Sequence, residues 1–366
     1  MKTNPLRDLK PLGFTDTFYQ QTDPEKLKTL QPARIVAVHK ERYTIKTAES
    51  EIAAEVTGKL MFSADSPLDY PCVGDWVYVQ LLDDGTFAII VEILERCSVL
   101  RRKTPGKQIE YQLIAANIDS AMIMQSLDDN FNVRRLERYL VMVRDGNIEP
   151  IVLLSKSDLT DAAEVQQKIA AIHTLFPDLP VLPFSNSTGA GFNEVQKWLQ
   201  PQHTYCLLGS SGVGKTTLLN RLLGEERFET ASVREGDSKG RHTTSQRQLI
   251  LLESGAMIID TPGMRELGNI ELGEGMEEVF HEIEALTGRC RFSDCTHMHE
   301  QGCAVLSAVE SGEISKERYG NYIKMTKESA YHARSYLEKR QRDKAFGKMV
   351  KSFLKDNDKR RYEKGT

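Results

Sequence analysis

Residues 209–216, Gly209-Ser210-Ser211-Gly212-Val213-Gly214-Lys215-Thr216, fit the pattern G-x-x-x-x-G-K-[ST]. The apolar run TYCLLG leads into the octapeptide and the helical pattern TTLLNRLLG leads out of it. In that strand–loop–helix context the glycines let successive backbone N–H groups turn onto phosphates, and the helix N-terminus adds partial positive charge. Lys215 is expected to reach the β and γ phosphates and the Thr216 hydroxyl to ligate magnesium, with Thr217 beside it. Downstream, AMIIDTPGM sets Asp260 at the end of an apolar strand, where its carboxylate can hold the magnesium through water. Gly263 in the same run is free to meet the γ phosphate. Between these two motifs lies GRHTTSQ (240–246), whose Thr243 or Thr244 can complete the magnesium shell when a triphosphate is bound; spacing does not choose between them.

A phosphate loop serves ATP and GTP alike, so the base needs its own reader. Ser155-Lys156-Ser157-Asp158, at the end of the buried run IVLL, resembles the NKxD motif of GTPases. There the carboxylate accepts guanine N1–H and N2–H, a pattern adenine does not offer, and the lysine stem lies across the ring. Ser155 stands where that motif has an asparagine that ties the base loop to the phosphate loop, so the replacement is expected to bear on nucleotide affinity more than on guanine preference. Ser185-Asn-Ser-Thr-Gly-Ala-Gly191, after the strand VLPF, resembles the SAxTGxG loop that closes over guanine from the other side. Here the base readers precede the phosphate loop, the reverse of the usual order. Such a circular permutation preserves a sheet when the original termini lie close together at the surface.

Cys290-x4-Cys295-x-His297-x5-Cys303 places three thiols and an imidazole within fourteen residues. Soft ligands in fourfold coordination suit a closed, structural zinc site, because no open position remains for water. His299 is a lower-ranked alternative ligand. Cys72, Cys97 and Cys206 are isolated and are expected in the core.

These groups need elements to position them. Residues 1–33, with four prolines and no sustained period, read as a loose N-terminal extension. Short alternating runs over residues 34–100 (RIVAV, YTIKT, EIAAEV, DWVYVQLL, FAIIVEIL) predict five strands and a small closed barrel of OB-fold type. Over residues 101–275 strands alternate with helices: AMIMQSL, a helix ending at Gly146, IVLLSKSD, a helix near 161–175, VLPF, FNEVQKWL, then TYCLLG. That alternation predicts a mostly parallel sheet covered by helices on both faces. Residues 276–366 show only helical patterns, interrupted by the cysteine cluster.

Composition narrows the class. The 366 residues suffice for two or three domains, and 40% hydrophobic with 27% charged residues excludes a largely disordered or fibrous chain. No apolar run approaches the roughly 18 residues of a membrane span, and the N-terminus lacks a signal-peptide core, so a cytoplasmic protein without membrane contact is expected. Six cysteines are too few for a disulfide framework in so long a chain. The formal charge of −4 hides an asymmetry: residues 334–366 carry 12 Lys/Arg against 5 Asp/Glu, a net of +7 on a body of −11. A basic tail on an acidic body suits a polyanionic partner reached by one end.

Taken together, the motifs resemble the RsgA (YjeQ) family of small ribosomal subunit biogenesis GTPases. The likeness runs from about Arg34 to Tyr322 and includes VGDW (73–76), RCSVLRRK (96–103), AANID (115–119), RLERYL (135–140), GRHTT (240–244), CRFSDCTHMHEQGCAV (290–305) and RYGNYIK (318–324). It implies a multidomain α/β chain: an OB-fold, a circularly permuted GTPase domain and a helical zinc domain. It also implies binding to the small ribosomal subunit and its rRNA late in maturation, departure after GTP hydrolysis to GDP, one structural zinc and magnesium with the nucleotide. The chain is expected to act as a monomer. Two departures stand out: Ser155, and Ser245 where a further threonine is usual. Met264 occupies the place of the water-orienting glutamine of many GTPases, so His242 is the candidate to orient the attacking water. Candidates for RNA contact are Tyr43, Trp76, Arg101, Arg102 and Lys103 on the barrel side, with Trp76 also reading as core, and the tail around Phe346, Val350 and Phe353. Two other functions fit the same motifs: a signalling or protein-targeting GTPase, and a nucleotide-gated RNA-binding module with negligible turnover.

Overall fold

Alternation of buried and exposed side chains builds the barrel. A computed structural model describes residues 6–39, 42–103, 111–228, 247–260 and 273–330. Its first part holds helices α1 (Asp16–Gln21) and α2 (Gly58–Ser63) and strands β1 (Gln31–Val38), β2 (Tyr43–Lys46), β3 (Glu51–Val56), β4 (Trp76–Leu82) and β5 (Phe87–Ile93). The strands pair in the order β1-β2-β3-β5-β4, and β4 returns to β1, closing a five-stranded OB-like barrel in which β3–β5 is the parallel pair. Ile35, Ile45, Ile52, Val77, Val79 and Ile90 fill it. The VGDW turn has a backbone reason for its glycine: Gly74 has φ +92°, and a Cβ there would lie 2.0 Å from the Ala116 carbonyl oxygen. The next residue, Asp75, accepts two hydrogen bonds of 2.8 Å from Arg96, a bidentate pair that joins VGDW to RCSVLRRK.

Residues 6–30, expected to be loose, are packed. Leu6, Leu9, Leu12, Phe14 and Phe18 form a core with Trp76, Tyr78 and Leu94, and the Phe14 and Trp76 rings meet edge to face at 4.7 Å. No period was visible because a 3-10 turn containing Pro11 and a six-residue helix each contribute too few apolar positions. This packing corrects the candidacy of Trp76 for base stacking, since the ring is 0% exposed.

Strands β6 (Val99–Lys103) and β7 (Tyr111–Ala116) pair with each other and lead into the nucleotide-type sheet. There β8 (Ser120–Ser126), α3 (Val133–Asp145), β9 (Glu149–Ser155), α4 (Ala162–Leu175), β10 (Val181–Pro183), α5 (Phe192–Trp198), β11 (Thr204–Gly209) and α6 (Lys215–Leu223) follow in turn, then β12 (Arg247–Leu251) and β13 (Met257–Asp260). The order β10-β9-β8-β11-β13 is parallel throughout, and β12 adds antiparallel to β13. Strand β12 also pairs with β1 through Ala37↔Gln248 and Val38↔Arg247, so barrel and sheet are continuous.

Arg34 fastens that junction. Its guanidinium, 1% exposed, donates to the carbonyls of Leu12, Gly74 (3.3 Å) and Asn117 (2.9 Å) and to the Thr204 hydroxyl (2.9 Å). These partners come from the N-terminal segment, the barrel, the β7–β8 turn and β11. Burial lowers its pKa to about 10 while Asp119 and Asp75 act to raise it, so it remains a cation at neutral pH.

Helices α7 (Glu274–Val279), α8 (His281–Thr287) and α9 (Ala304–Ser311) and a helix over 316–330 complete the described chain. The chain divides into two compact units, the larger from Met1–Arg102, Tyr111–Leu267 and Gly273–Ala285, the smaller chiefly from Leu286–Thr366. Among the described residues no helix is long and apolar enough to cross a membrane.

Candidate functional site

The carboxyl ends of β8, β9, β10 and β11 lead into neighbouring loops, and Asp260 stands at that end of β13, as expected of an open α/β sheet. After β11 the chain turns through Gly209, Gly212 and Gly214, at φ +143°, +80° and +93°. A Cβ on Gly209 would lie 2.5 Å from the Met124 carbonyl oxygen of β8. Val213, 0% exposed, pins the loop to the core under the sheet. Lys215 Nζ donates to the carbonyls of Gly209 (2.6 Å) and Ser210 (2.8 Å), which holds the ammonium over the loop's mouth. Ser211 and Thr217 are exposed, and Thr216 sits half-buried in the first turn of α6. Asp260 ends β13; burial raises its pKa, and the nearby Lys215 charge pulls the other way.

Three neighbouring loops support the phosphate loop. Ser155, fully buried at the end of β9, donates through Oγ to the Val213 carbonyl at 2.7 Å. A serine hydroxyl thus links the loop after β9 to a carbonyl of the phosphate loop at the position where an asparagine was expected to make the tie. Lys156 follows in the left-handed region at φ +59°, and Asp158 lies exposed at the loop's end. Ser185 Oγ accepts from the amides of Ser187 (3.2 Å) and Thr188 (3.1 Å), shaping the loop after β10. From that loop Asn186 Nδ2 donates to the Gly214 carbonyl at 3.2 Å, and Arg221 of α6 donates back to the Asn186 carbonyl at 2.8 Å. From the β8–α3 loop Asn130 Nδ2 donates to Ser210 Oγ at 3.0 Å. Tyr139 of α3 hydrogen-bonds backbone at Gly209; burial raises its hydroxyl to about 12.

Sequence reasoning did not assign Asn130, Tyr139 or Asn186. The last lies inside the quoted SNSTGAG run, and a side-chain amide beside a buried serine is the signal that could have found it. Gly263, Thr243, Thr244, His242, Ser245, Met264, the Lys103 side chain and the tail from 331 lie outside the described residues. Arg101 and Arg102 are part-buried on β6, with the Arg101 guanidinium 5.5 Å from the Tyr111 ring centre. Of the three isolated cysteines, Cys72 and Cys206 are buried as expected, whereas Cys97 is exposed, because it lies in the loop between β5 and β6 rather than in a strand.

In the smaller unit, Cys290, Cys295, His297 and Cys303 bring one ligand atom each to within 4.8 Å of one another. Cys290 Sγ and Cys303 Sγ are 3.9 Å apart, and each is 3.5 Å from His297 Nδ1. A tetrahedron with bonds of about 2.3 Å to sulfur and 2.0 Å to nitrogen has edges of roughly 3.5–3.8 Å, so the donor set can hold a metal ion and fits zinc. His299 is exposed and outside the cluster. Cys303 caps α9, its sulfur accepting from the Leu306 amide at 3.4 Å. Burial pushes the Cys290 thiol up, but hydrogen bonds from the Ala304 and Val305 amides at the same helix start, together with those from Cys295 and Cys303, outweigh it and draw the thiol down toward the thiolate a metal requires. The Glu300 carboxylate accepts from the amides of Thr296 (2.9 Å), Met298 (3.0 Å) and His299 (3.1 Å), and Tyr319 donates to the His297 carbonyl at 2.7 Å. Both hold the loop that presents His297 at φ +60°.

Residues 93–270 match the sequence profile of the RsgA GTPase family. Among curated relatives, small ribosomal subunit biogenesis GTPase RsgA 2 of Vibrio vulnificus is 41% identical over 351 residues, 96% of either chain. Its namesake from Lactiplantibacillus plantarum is 44% identical over 312 residues, 85% of this chain and 86% of the relative. Among solved structures, YjeQ from Thermotoga maritima superposes with a TM-score of 0.59 at 26% identity, covering 82% of this chain and 99% of that one. YloQ, a circularly permuted GTPase, shares the fold at a TM-score of 0.57 and 24% identity, over 82% and 95% of the two chains.

Proposed function

Because the chain belongs to the RsgA family of GTPases, we propose that it hydrolyses GTP to GDP and phosphate on the small ribosomal subunit, late in that subunit's maturation, with turnover raised by the subunit. The observation that carries the nucleotide reading is the 2.7 Å bond from Ser155 to the Val213 carbonyl, which fastens the base loop to the phosphate loop. In the NKxD motif that residues 155–158 resemble, the asparagine makes the corresponding tie, so the bond supports a base-reading role for the loop after β9.

Asp158 accepts guanine N1–H and N2–H, the Lys156 stem covers one face of the ring, and Ser157 and the Ser185 loop close around the rest. Backbone amides from Gly209 to Gly214 receive the phosphates, and Lys215 exchanges its loop carbonyls for β and γ oxygens. Magnesium, when bound, neutralises the charge that develops on those oxygens; Thr216, Asp260 and either Thr243 or Thr244 are the residues that would hold it. Gly263 offers its amide to the γ phosphate and His242 orients the water. Zinc is the ion assigned to Cys290, Cys295, His297 and Cys303, four ligands that leave no place for water and so make the site structural.

Residues 34–100 are assigned to rRNA, with Arg101, Arg102 and the basic tail adding phosphate contacts; residues 101–275 are assigned to the nucleotide and 276–366 to zinc. The chain works as a cytoplasmic monomer. Multiple-turnover phosphate release, with and without purified small subunits, tests the whole reading: a rise of about tenfold or more on adding subunits is expected, and flat rates in both would overturn it. His242→Ala is expected to lose that rise while still binding GTP; unchanged turnover removes the assignment.

A further inference from the structure

The loop between β8 and α3 makes contacts that a simple connection would not need. Asp128 Oδ1 accepts from Ser126 Oγ at 2.6 Å and from the Asn130 amide at 3.0 Å, while Oδ2 accepts from Lys156 Nζ at 2.8 Å. Two residues on, the Asn130 side chain reaches Ser210 of the phosphate loop. One short turn thus touches both the lysine assigned to the base and the loop assigned to the phosphates.

We propose that Asp128 is a positioning residue of the guanine site: it fixes the Lys156 ammonium so that the lysine stem is already laid out to cover the base before nucleotide arrives. The proposal rests on the assignment of Lys156 and Asp158 to the base. A free lysine has four rotatable bonds and surrenders that rotamer freedom when fixed. Anchoring its end in advance removes much of that cost from binding, which is preorganisation. An isolated surface pair would do little. This one differs because the carboxylate is itself held by two further donors, so its position is set independently of the lysine. Burial acts to raise the Asp128 carboxyl, but its bonds from Lys156, Ser126 and the Asn130 amide outweigh that and hold it down to about 2. It is therefore fully ionised wherever the protein works.

The left-handed backbone at Lys156 belongs to the same design. At φ +59° the chain reverses just after the buried Ser155. Ser155 is thereby directed at Val213 and Lys156 at Asp128, two anchors for consecutive residues on two different neighbours.

The test is a double-mutant cycle on the full chain, read as the dissociation constant of GDP carrying a fluorescent ribose substituent. Asp128→Asn keeps an acceptor and removes the charge, and it is expected to weaken GDP and GTP equally, by about threefold to tenfold. In steady state the loss should fall on KM rather than kcat. Lys156→Met should weaken binding similarly, and adding Asp128→Asn to it should change nothing more. Additive losses, or no loss from Asp128→Asn, would overturn the proposal. Asp158→Asn, tested alongside with GTP and XTP, separates the two layers. A failure to shift preference toward XTP sinks the base reading itself; a shift combined with additive losses in the cycle sinks only the role of Asp128.

Discussion

The Cys/His cluster and the nucleotide site both hold polar atoms ready for a ligand, but they recruit their supports over very different stretches of chain. All four cluster ligands lie between Cys290 and Cys303, and the groups that brace them are near in sequence, from Glu300 within the loop to Tyr319. The phosphate loop is braced by Asn130, Ser155 and Asn186, which lie 80, 58 and 28 residues from their partners. Four ligands drawn from fourteen residues close a loop with little regular structure of its own, so a metal there should supply much of that loop's folding free energy. The phosphate loop instead stands at the end of a sheet with a large hydrophobic core of its own, so its loops are placed by packing and hydrogen bonds.

That contrast can be broken by removing the metal. Chelation is expected to release one ion per chain and to strip hydrogen-exchange protection from residues 286–311, an effect on the scale of about 10 kcal/mol for structural zinc in small modules. Protection of β8, β9 and β11 should persist. Equal loss in both places would show that the sheet is as metal-dependent as the cluster. A smaller effect is expected from Arg34→Met. The change removes the buried donor of the Leu12 and Asn117 carbonyls and of the Thr204 hydroxyl, while the Gly74 carbonyl keeps the Asn117 side-chain amide at 3.1 Å, at a combined cost of roughly 3–5 kcal/mol. In a Trp198→Phe background, denaturant unfolding followed by Trp76 fluorescence and by bound nucleotide should shift together, because barrel and sheet share strand pairing through β1 and β12. Two separated transitions would mean that the junction is not cooperative.

How much could be read beforehand follows the same division. The Cys/His cluster, the phosphate-loop turn and the strands leading to it were legible because each is a short run whose chemistry is local. The choice of His297 over His299 was legible as well, and the 3.5 Å approaches of its Nδ1 to two thiols bear on it directly. What spacing could not reveal was every contact made across the sheet. Arg34 read as the first residue of a strand, with no sign that it would be buried among carbonyls of distant segments. Strand β12 was missed because RQLIL follows a long polar stretch and pairs with a barrel strand more than two hundred residues earlier. The packed N-terminal segment was missed for want of any repeating period.

Ser155 gives the finest test of the comparison, because one hydroxyl carries the link between two loops. Ser155→Ala removes the donor and leaves the Val213 carbonyl buried and unpaired, since both residues are 0% exposed. Stranding such an acceptor costs about 1–3 kcal/mol, so GDP should bind roughly fivefold to a hundredfold more weakly if the loss is felt at the site. Ser155→Asn restores a donor but adds a longer side chain where no space is exposed, with the Gln125 carbonyl 3.3 Å from the present Oγ. It should therefore recover part of the affinity at some expense in melting temperature. The pair of variants separates chemistry from room: if alanine costs nothing in binding, the phosphate loop is held well enough by Asn130 and Asn186, and its distributed bracing is redundant where the metal cluster's is not.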